Sequence, residues 1–106
     1  MNISQSLIEQ VKNWCYITDD SQITNDRLEK IIKTSLPKVK RLIGVKPDYD
    51  FEAKYNEEEL ELFLNYCWYA WNDSSNEFKD NYLDDINSLH HKHEVAQYVE
   101  KENIQL

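Results

Sequence analysis

The only cluster of typical metal-ligand side chains in this sequence is HHKHE, which spans residues 90 to 94. On a helix, His90, His93 and Glu94 would lie on one side, so three ligands could converge on a zinc ion. The pattern is neither HExxH nor HxxEH, and the chain has no second group of histidines or cysteines to complete a catalytic site. A solvated helix end is the simpler interpretation, and we predict no metal site.

Carboxylates and thiols give no catalytic pattern either. The carboxylates occur as runs of neighbours at 19–20, 57–59 and 84–85, whereas general acid–base catalysis needs two carboxyls in different environments across a cleft. Cys67 lies among aromatic residues, which would raise the pKa of its thiol and make it inert. Gly44 is the only glycine, so no glycine-rich phosphate loop exists. We therefore expect no catalytic residue, no cofactor and no enzymatic activity.

Charge limits the partners. The 106 residues include 20 acidic and 12 basic side chains, a formal net charge of −8, and such a surface repels phosphate backbones. No window approaches the roughly 20 apolar residues that a membrane-spanning helix needs. Cys15 and Cys67 have no CxxC spacing, and the opening MNISQSLIEQ lacks a basic region followed by an apolar run. We expect an intracellular, reduced protein that binds neither nucleic acid nor a membrane.

The elements that position these side chains are predicted to be helices, because one glycine and two prolines leave few turn residues for a sheet. We predict an all-α fold, a small bundle of about four helices. Ser4 is a candidate N-cap for the first helix, and Thr24 or Asn25 for the second, which Gly44 would close. Pro37 predicts a kink or a division into two short helices. The core face predicted for the first helix comprises Leu7, Ile8, Val11, Trp14 and Cys15.

The third helix is the most clearly patterned, with Asn56 as its cap and Glu59 three residues later at a capping-box spacing. Residues 45–56, which precede it, predict a loop pinned between helices two and three. A short extended segment within these residues is the alternative. The fourth segment is either one long helix or a helix to about His91 followed by a tail. The aromatic residues that would pin the loop are Tyr49, Phe51 and Tyr55.

The stretch LNYCWYAWND, residues 64–73, concentrates aromatic side chains in a polar chain. A helix would carry them on more than one face, and the surplus face could meet another helix, a second subunit or a small molecule. Tyr66 and Tyr69 are our candidates for a subunit interface. Stacking on bases is disfavoured without a basic groove. The predicted core set comprises Phe63, Leu64, Cys67, Trp68 and Trp71.

The order of these segments resembles the small head-tail connector proteins, also called adaptor or head-completion proteins, of long-tailed bacteriophages and prophages. The pieces that carry the resemblance are VKNWCYI, TNDRLEKIIKTSLPKVKRLIGV and, most of all, YCWYAWNDSSNEFKDNY. The resemblance implies a structural virion protein that forms a homo-oligomeric ring, commonly of about twelve subunits, beneath the portal protein. The ring would extend the DNA channel at the head-tail junction and offer a docking surface to the next connector or tail protein. Assembly would take place in the host cytoplasm.

The resemblance also implies a division into a connector domain, residues 1–97, and a short C-terminal tail, residues 98–106, that contacts the portal. The candidates for this contact are Tyr98, Val99, Ile104 and Leu106; a frayed terminus is the alternative. Acidic charge would let DNA pass through the channel without specific binding. Two other functions stay open: an acidic binding module, antitoxin-like or a DNA-mimic inhibitor, and a metal-dependent enzyme that uses residues 90–94.

Overall fold

The computed structural model describes residues 3–102 and contains five α-helices and no strand in that range, which confirms the all-α class. The helices lie side by side around one core, with α3 packed along α1 and α2, and with α5 packed against α2 and α4. Their bounds are Gln5–Trp14 for α1, Gln22–Ile43 for α2, Glu57–Trp71 for α3, Ser75–Asn81 for α4 and Leu83–Glu102 for α5.

Polar caps set the first two helix starts. Ser4 caps α1 as predicted, because its hydroxyl accepts a hydrogen bond of 3.0 Å from the backbone N–H of Leu7. The predicted cap of α2 was wrong by one turn: the cap is Ser21, whose hydroxyl accepts from the N–H of Thr24 at 3.3 Å. Asp19 holds Ser21 in place by accepting hydrogen bonds from both its backbone N–H and its hydroxyl. The polar residues between α1 and α2 therefore start α2 earlier than the pattern of its apolar residues suggests.

Proline does not divide α2. The helix is continuous from Gln22 to Ile43 with Pro37 inside it, so the alternative of two short helices is not observed. A proline in a helix interior costs about 3 kcal/mol through a lost donor and a steric clash. Leu36 and Val39, on either side of it, are both buried against the core. Burial of such side chains contributes about 1.5 to 3 kcal/mol each, which offsets the local cost.

The predicted number of helices needs correction, because the fourth segment divides at Tyr82 into α4 and α5. Tyr82 adopts a non-helical backbone conformation, with φ −116° and ψ 21°, and its ring stacks on that of Phe78 at 4.7 Å. Phe78 and Ile86 are both buried, so the helices on either side of the break both contribute to the core. Beyond the break, α5 runs past His91 and across the predicted 97/98 boundary, as in the long-helix alternative.

Residues 45–56, between α2 and α3, form turns and bends rather than an extended piece. Phe51 is buried and stacks on Phe63 of α3, with ring centroids 5.0 Å apart. Tyr49 meets the edge of Phe51 at 5.4 Å, whereas Tyr55 is exposed. The remaining buried core residues are Leu7, Val11, Cys15, Leu28, Ile32, Leu36, Val39, Ile43, Leu62, Leu64, Tyr66, Cys67, Phe78, Ile86 and Leu89.

Gly44 closes α2 as predicted, in a left-handed conformation with φ 71°. The N–H of Gly44 donates to the carbonyl of Arg41 at 3.3 Å and the N–H of Val45 donates to that of Lys40 at 3.0 Å, a Schellman ending. A Cβ at this position would lie 3.0 Å from Nε2 of His90, a half-exposed side chain that can rotate away. The positive φ is therefore the main reason that glycine is needed here.

Replacing Gly44 with alanine is expected to lower the free energy of unfolding by about 1 kcal/mol, because L-residues other than asparagine and aspartate disfavour the left-handed region. Asparagine tolerates that region, so Gly44→Asn should cost less than Gly44→Ala. Urea unfolding followed by circular dichroism would measure both variants. Equal losses in the two variants would show that contact with His90, rather than φ, decides the cost.

Candidate functional site

An open groove of about 620 Å³ lies between the C-terminal end of α1 and the outer side of α3. Within residues 3–102, no charged side chain lines this groove, although charged residues make up 30% of the sequence. We call it the aromatic groove, and its lining comprises Gln10, Asn13, Trp14, Tyr16, Leu64, Asn65, Trp68, Tyr69 and Tyr82. An uncharged aromatic surface on an acidic protein is the feature that most strongly indicates a binding function.

The end of α1 builds one wall of the aromatic groove. The indole N–H of Trp14 donates to the side-chain oxygen of Asn65 on α3 at 3.0 Å, which fixes the plane of the ring. Tyr16 follows the helix with a positive φ of 57°, and its side chain is highly exposed. Its backbone N–H bonds to the carbonyl of Asn13 at 3.2 Å. The turn that ends α1 thereby holds two aromatic rings at the surface.

On the opposite side of the aromatic groove, Tyr69 contacts several other aromatic rings. Its ring makes edge contacts with Trp68 at 5.4 Å, with Phe78 at 5.6 Å and with Tyr82 at 5.8 Å. The side-chain amide of Asn81 donates to the Tyr69 hydroxyl at 3.1 Å. Because these rings are already packed, little side-chain entropy would be lost when a partner covers them. The groove can therefore bury apolar area without a large ordering cost.

The structure corrects the predicted division of the aromatic stretch into faces. Phe63, Leu64 and Cys67 are buried as predicted, but Trp68 was assigned to the core and is 40% exposed. Trp14, which was also assigned to a core face, is equally exposed. The error at Trp68 arises because α3 carries hydrophobic residues around most of its circumference. Periodicity alone therefore does not tell which side of α3 faces the core.

The two tyrosines proposed as interface candidates differ in position. Tyr66 is only 7% exposed and packs edge-on against Phe78 at 5.0 Å, so nearly all of its ring is used inside the chain. Tyr69 is partly buried and borders the aromatic groove. A role of either in a subunit contact stays a prediction. Sequence reasoning missed Trp14 and Tyr16 as groove residues, although their position at the end of a helix, next to a polar break, was a usable signal.

The structure does not bring His90, His93 and Glu94 together as one ligand set. Nδ1 of His90 is 3.9 Å from Oε2 of Glu94, whereas Nε2 of His93 lies 2.7 Å from Oε2 of Glu59 on α3. Nζ of Lys92 donates to the same Glu59 oxygen at 2.9 Å. Within residues 3–102, no three histidine, cysteine or carboxylate side chains are placed to hold a metal ion. The histidine-rich segment instead fastens α5 to α3.

Glu59 is the fully buried carboxylate at the centre of this contact. The predicted capping box was wrong: Asn56 makes no side-chain cap bond, and its amide donates to the carbonyl of Asp50 at 2.8 Å. Burial by itself would raise the pKa of Glu59. Hydrogen bonds from Lys92, from the backbone N–H of Glu59 and from His93 outweigh the burial, so the pKa of the carboxyl is lowered. Glu59 is therefore an anion that joins two helices.

Tyr49 lies next to this anion, on the loop between α2 and α3. Burial, and then the negative charge of Glu59, raise the pKa of the Tyr49 hydroxyl. The Tyr49 ring meets the edge of the His93 ring at 5.3 Å. The Tyr49 hydroxyl and Oε1 of Glu59 are both buried, and neither forms a hydrogen bond of normal geometry within the described part of the chain. The carboxylate and its neighbours thus link three elements, α3, α5 and the loop.

The two cysteines are buried thiols. Burial raises the pKa of Cys15 to about 11 and raises the pKa of Cys67 further, so both thiols are protonated near neutral pH. A protonated thiol is a poor nucleophile, which matches the inert role that the aromatic neighbours of Cys67 predicted.

Comparison of this chain with protein families, with curated proteins and with solved structures finds no match. None of the helices in residues 3–102 combines the length and the apolar character that crossing a membrane requires. Of the residues proposed for portal contact, Tyr98 is exposed and Val99 is partly buried on α5. Ile104 and Leu106 lie outside the described residues.

Proposed function

We propose that this chain is a structural subunit that assembles into a ring of the head-tail connector type. The observation that carries the proposal is the aromatic groove, because uncharged aromatic surface with a polar rim is typical of contacts between proteins. A domain of about 100 residues hides only about two thirds of its unfolded surface, so burial between subunits adds stability that the single chain lacks. Such a function needs complementary surfaces rather than reactive groups.

In this proposal the ring lies beneath the portal protein at the head-tail junction and extends the DNA channel. Its free side receives the next connector or the tail protein. A net charge of −8 supports the passage of DNA without specific binding, because a basic lining would retain the phosphates. About twelve subunits would form the ring, as in the connectors that the sequence resembles.

The finer details of the fold belong to the same proposal. We place the portal contact in the C-terminal segment, from Tyr98 and Val99 on α5 to Ile104 and Leu106. The side chain of Tyr98 supports this, since it is 59% exposed in the described part of the chain. We also propose that residues 45–56 form a pinned loop, which is supported by the stacking of Phe51 on Phe63. A fixed loop would hold α3 and α5 in the same relative position in every subunit.

The proposal is tested with a purified portal protein. We expect the full chain to co-sediment with the portal and to appear as a ring on it by negative-stain electron microscopy. A chain that ends at Gln97 keeps the hydrogen bond from the Gln97 amide to the carbonyl of Gly44, so it should stay folded but lose portal binding. Circular dichroism and thermal unfolding of the shortened chain provide the control.

If the full chain neither binds the portal nor forms a ring on it, the connector assignment fails. If the chain that ends at Gln97 binds the portal as well as the full chain does, the connector assignment stands and the portal contact lies elsewhere. A complex with a basic DNA-binding protein that dissociates as salt is raised would instead support the acidic binding module.

A further inference from the structure

A second cavity, of about 180 Å³, lies next to the aromatic groove, between α3 and the first half of α5. Three exposed carboxylates line it, Glu58, Glu61 and Asp85, and we call it the acidic pocket. The acidic pocket and the aromatic groove share Asn65 and Tyr82 as lining residues, so they form one continuous depression. We call this depression the trough. One end of the trough is acidic, and the other end is aromatic and uncharged.

One side of α3 forms the floor of the trough. Four lining residues of this helix follow one another at steps of three or four positions, which puts them on the same side. They are Glu58, Glu61, Asn65 and Trp68. The rise from the first to the last is ten residues, or about 15 Å at 1.5 Å per residue. An extended peptide advances about 3.3 Å per residue, so about five residues would cover this length. The trough therefore fits a short segment of chain.

The carboxylates of the acidic pocket have no cationic neighbour in the described part of the chain. None of the ion pairs within residues 3–102 includes Glu58, Glu61 or Asp85. In the same range, neither cavity is lined by a lysine, arginine or histidine. Burial raises the pKa of the Tyr82 hydroxyl, and the charges of Asp85 and Glu61 add to this effect. Negative charge thus reaches the junction of the two cavities, where a cation from outside would be attracted.

We infer that the trough binds a basic, amphipathic segment of another protein. Its lysine or arginine side chains would lie in the acidic pocket, and its aromatic or apolar side chains would lie in the aromatic groove. Charge complementarity would orient the segment, and apolar burial would hold it. DNA, RNA and anionic membranes are poor matches, because they would bring phosphates to the carboxylates. A second copy carries the same net charge of −8 and is a poorer match than a basic segment.

The inference goes beyond the proposed ring, because it names a partner chemistry that ring formation does not require. On a connector ring, the trough would be the docking surface that receives the next connector or the tail protein. On an acidic binding module, it would be the binding site itself. The inference therefore does not depend on which of these functions is correct.

A peptide library tests the inference without a known partner. Random peptides of about eight residues, enough to cover the trough, are displayed on yeast and selected for binding to the immobilised full chain. The selected peptides should carry lysine or arginine towards one end and aromatic or large apolar residues towards the other, within about five positions. Selection of acidic or uncharged peptides would overturn the inference, and so would failure to enrich any sequence.

Two double variants of the full chain show whether a selected peptide binds in the trough. The first, Glu61→Gln with Asp85→Asn, removes two carboxylates that line the acidic pocket. The matched control, Glu57→Gln with Asp84→Asn, removes two exposed carboxylates that lie outside it on the same two helices. Both change the net charge by two, so non-specific attraction falls equally. In isothermal titration calorimetry, the first should weaken binding at least about tenfold and the control less than about threefold. Equal weakening would overturn the inference.

Trp68→Ala tests the aromatic end of the trough. It should weaken binding of the selected peptide by at least about tenfold, because tryptophan is among the residues that contribute most at protein contacts. Tyr55→Ala is its control, since Tyr55 is exposed and lines neither cavity. Circular dichroism checks that each variant is folded, and Tyr16→Ala replaces Trp68→Ala if that variant is unstable. Unchanged binding to the aromatic variant would overturn the inference.

Sedimentation velocity shows whether a second copy occupies the trough instead. If the unaltered chain self-associates and both trough variants abolish this, the trough is a contact between copies and the inference is overturned. The outcome is separate from that of the proposed function. Binding of basic peptides by a chain that does not bind the portal would keep the inference and remove the connector assignment. A ring on the portal, formed by a chain that selects no basic peptide, would keep the connector and remove the inference.

Discussion

Replacing Phe63 with alanine is expected to lower the free energy of unfolding by about 3 to 5 kcal/mol, whereas Trp68→Ala should cost about 1 to 2 kcal/mol. Phe63 is fully buried and stacks on Phe51, so truncation leaves a cavity between α3 and the loop. Trp68 lies on the same helix, but much of its ring is already in water. The larger side chain should therefore give the smaller loss.

Urea unfolding monitored by circular dichroism, at a concentration low enough to exclude self-association, measures this pair of variants. The two substitutions are matched, because both remove an aromatic ring from α3. A loss at Trp68 as large as the loss at Phe63 would mean that Trp68 belongs to the core, as the sequence pattern suggested. Weaker binding of the selected peptide to Trp68→Ala, with stability nearly retained, would agree with its place in the aromatic groove.

The second large effect is expected at the buried carboxylate. Glu59→Gln should lower the free energy of unfolding by about 2 to 3 kcal/mol at neutral pH, because hydrogen bonds to a charged group contribute about 1.5 to 3 kcal/mol. The variant keeps the shape of the side chain but offers no negative charge to Lys92 and His93. Lys92 is half exposed and regains water when the charge is removed, which keeps the cost below that of a fully buried ion pair.

The pH dependence of this effect follows from the lowered pKa of Glu59. A carboxyl whose pKa is lower in the folded than in the unfolded protein contributes stability above its unfolded value, about 4.3, and loses it as the pH falls through the folded value. The difference in stability between the unaltered chain and Glu59→Gln should therefore be full at pH 7 and shrink below about pH 4. Taking this difference cancels the other carboxylates, which both proteins share.

Glu58→Gln is the control for the buried carboxylate, because Glu58 is the exposed neighbour of Glu59 on the same helix turn. This variant should change stability by less than about 0.5 kcal/mol at neutral pH. Urea midpoints at pH 7 and pH 3.5 give the comparison. A stability difference for Glu59→Gln that stays constant between these pH values would contradict the assignment of Glu59 as an anion with a lowered pKa.

Local features of the fold were predictable because they depend on neighbouring residues. The helical class follows from periodic apolar residues and from the scarcity of turn residues. Ser4 starts α1 and Gly44 ends α2 through contacts within a few positions. The burial of Phe63, Leu64 and Cys67 also followed from spacing, since they share the most apolar side of α3. The break at Tyr82 was missed, because the spacing of Phe78, Tyr82 and Ile86 also fits one continuous helix.

The sequence by itself determined which residues could carry a contact: an aromatic stretch in an acidic chain, and a histidine-rich segment near its end. Only the tertiary structure decided how they are used. It places Trp68 outside and Tyr66 inside, and it pairs His93 with Glu59, thirty-four positions away. The physical reason is that a side chain's face and its polar partners are set by helices that meet in space, which no local spacing encodes.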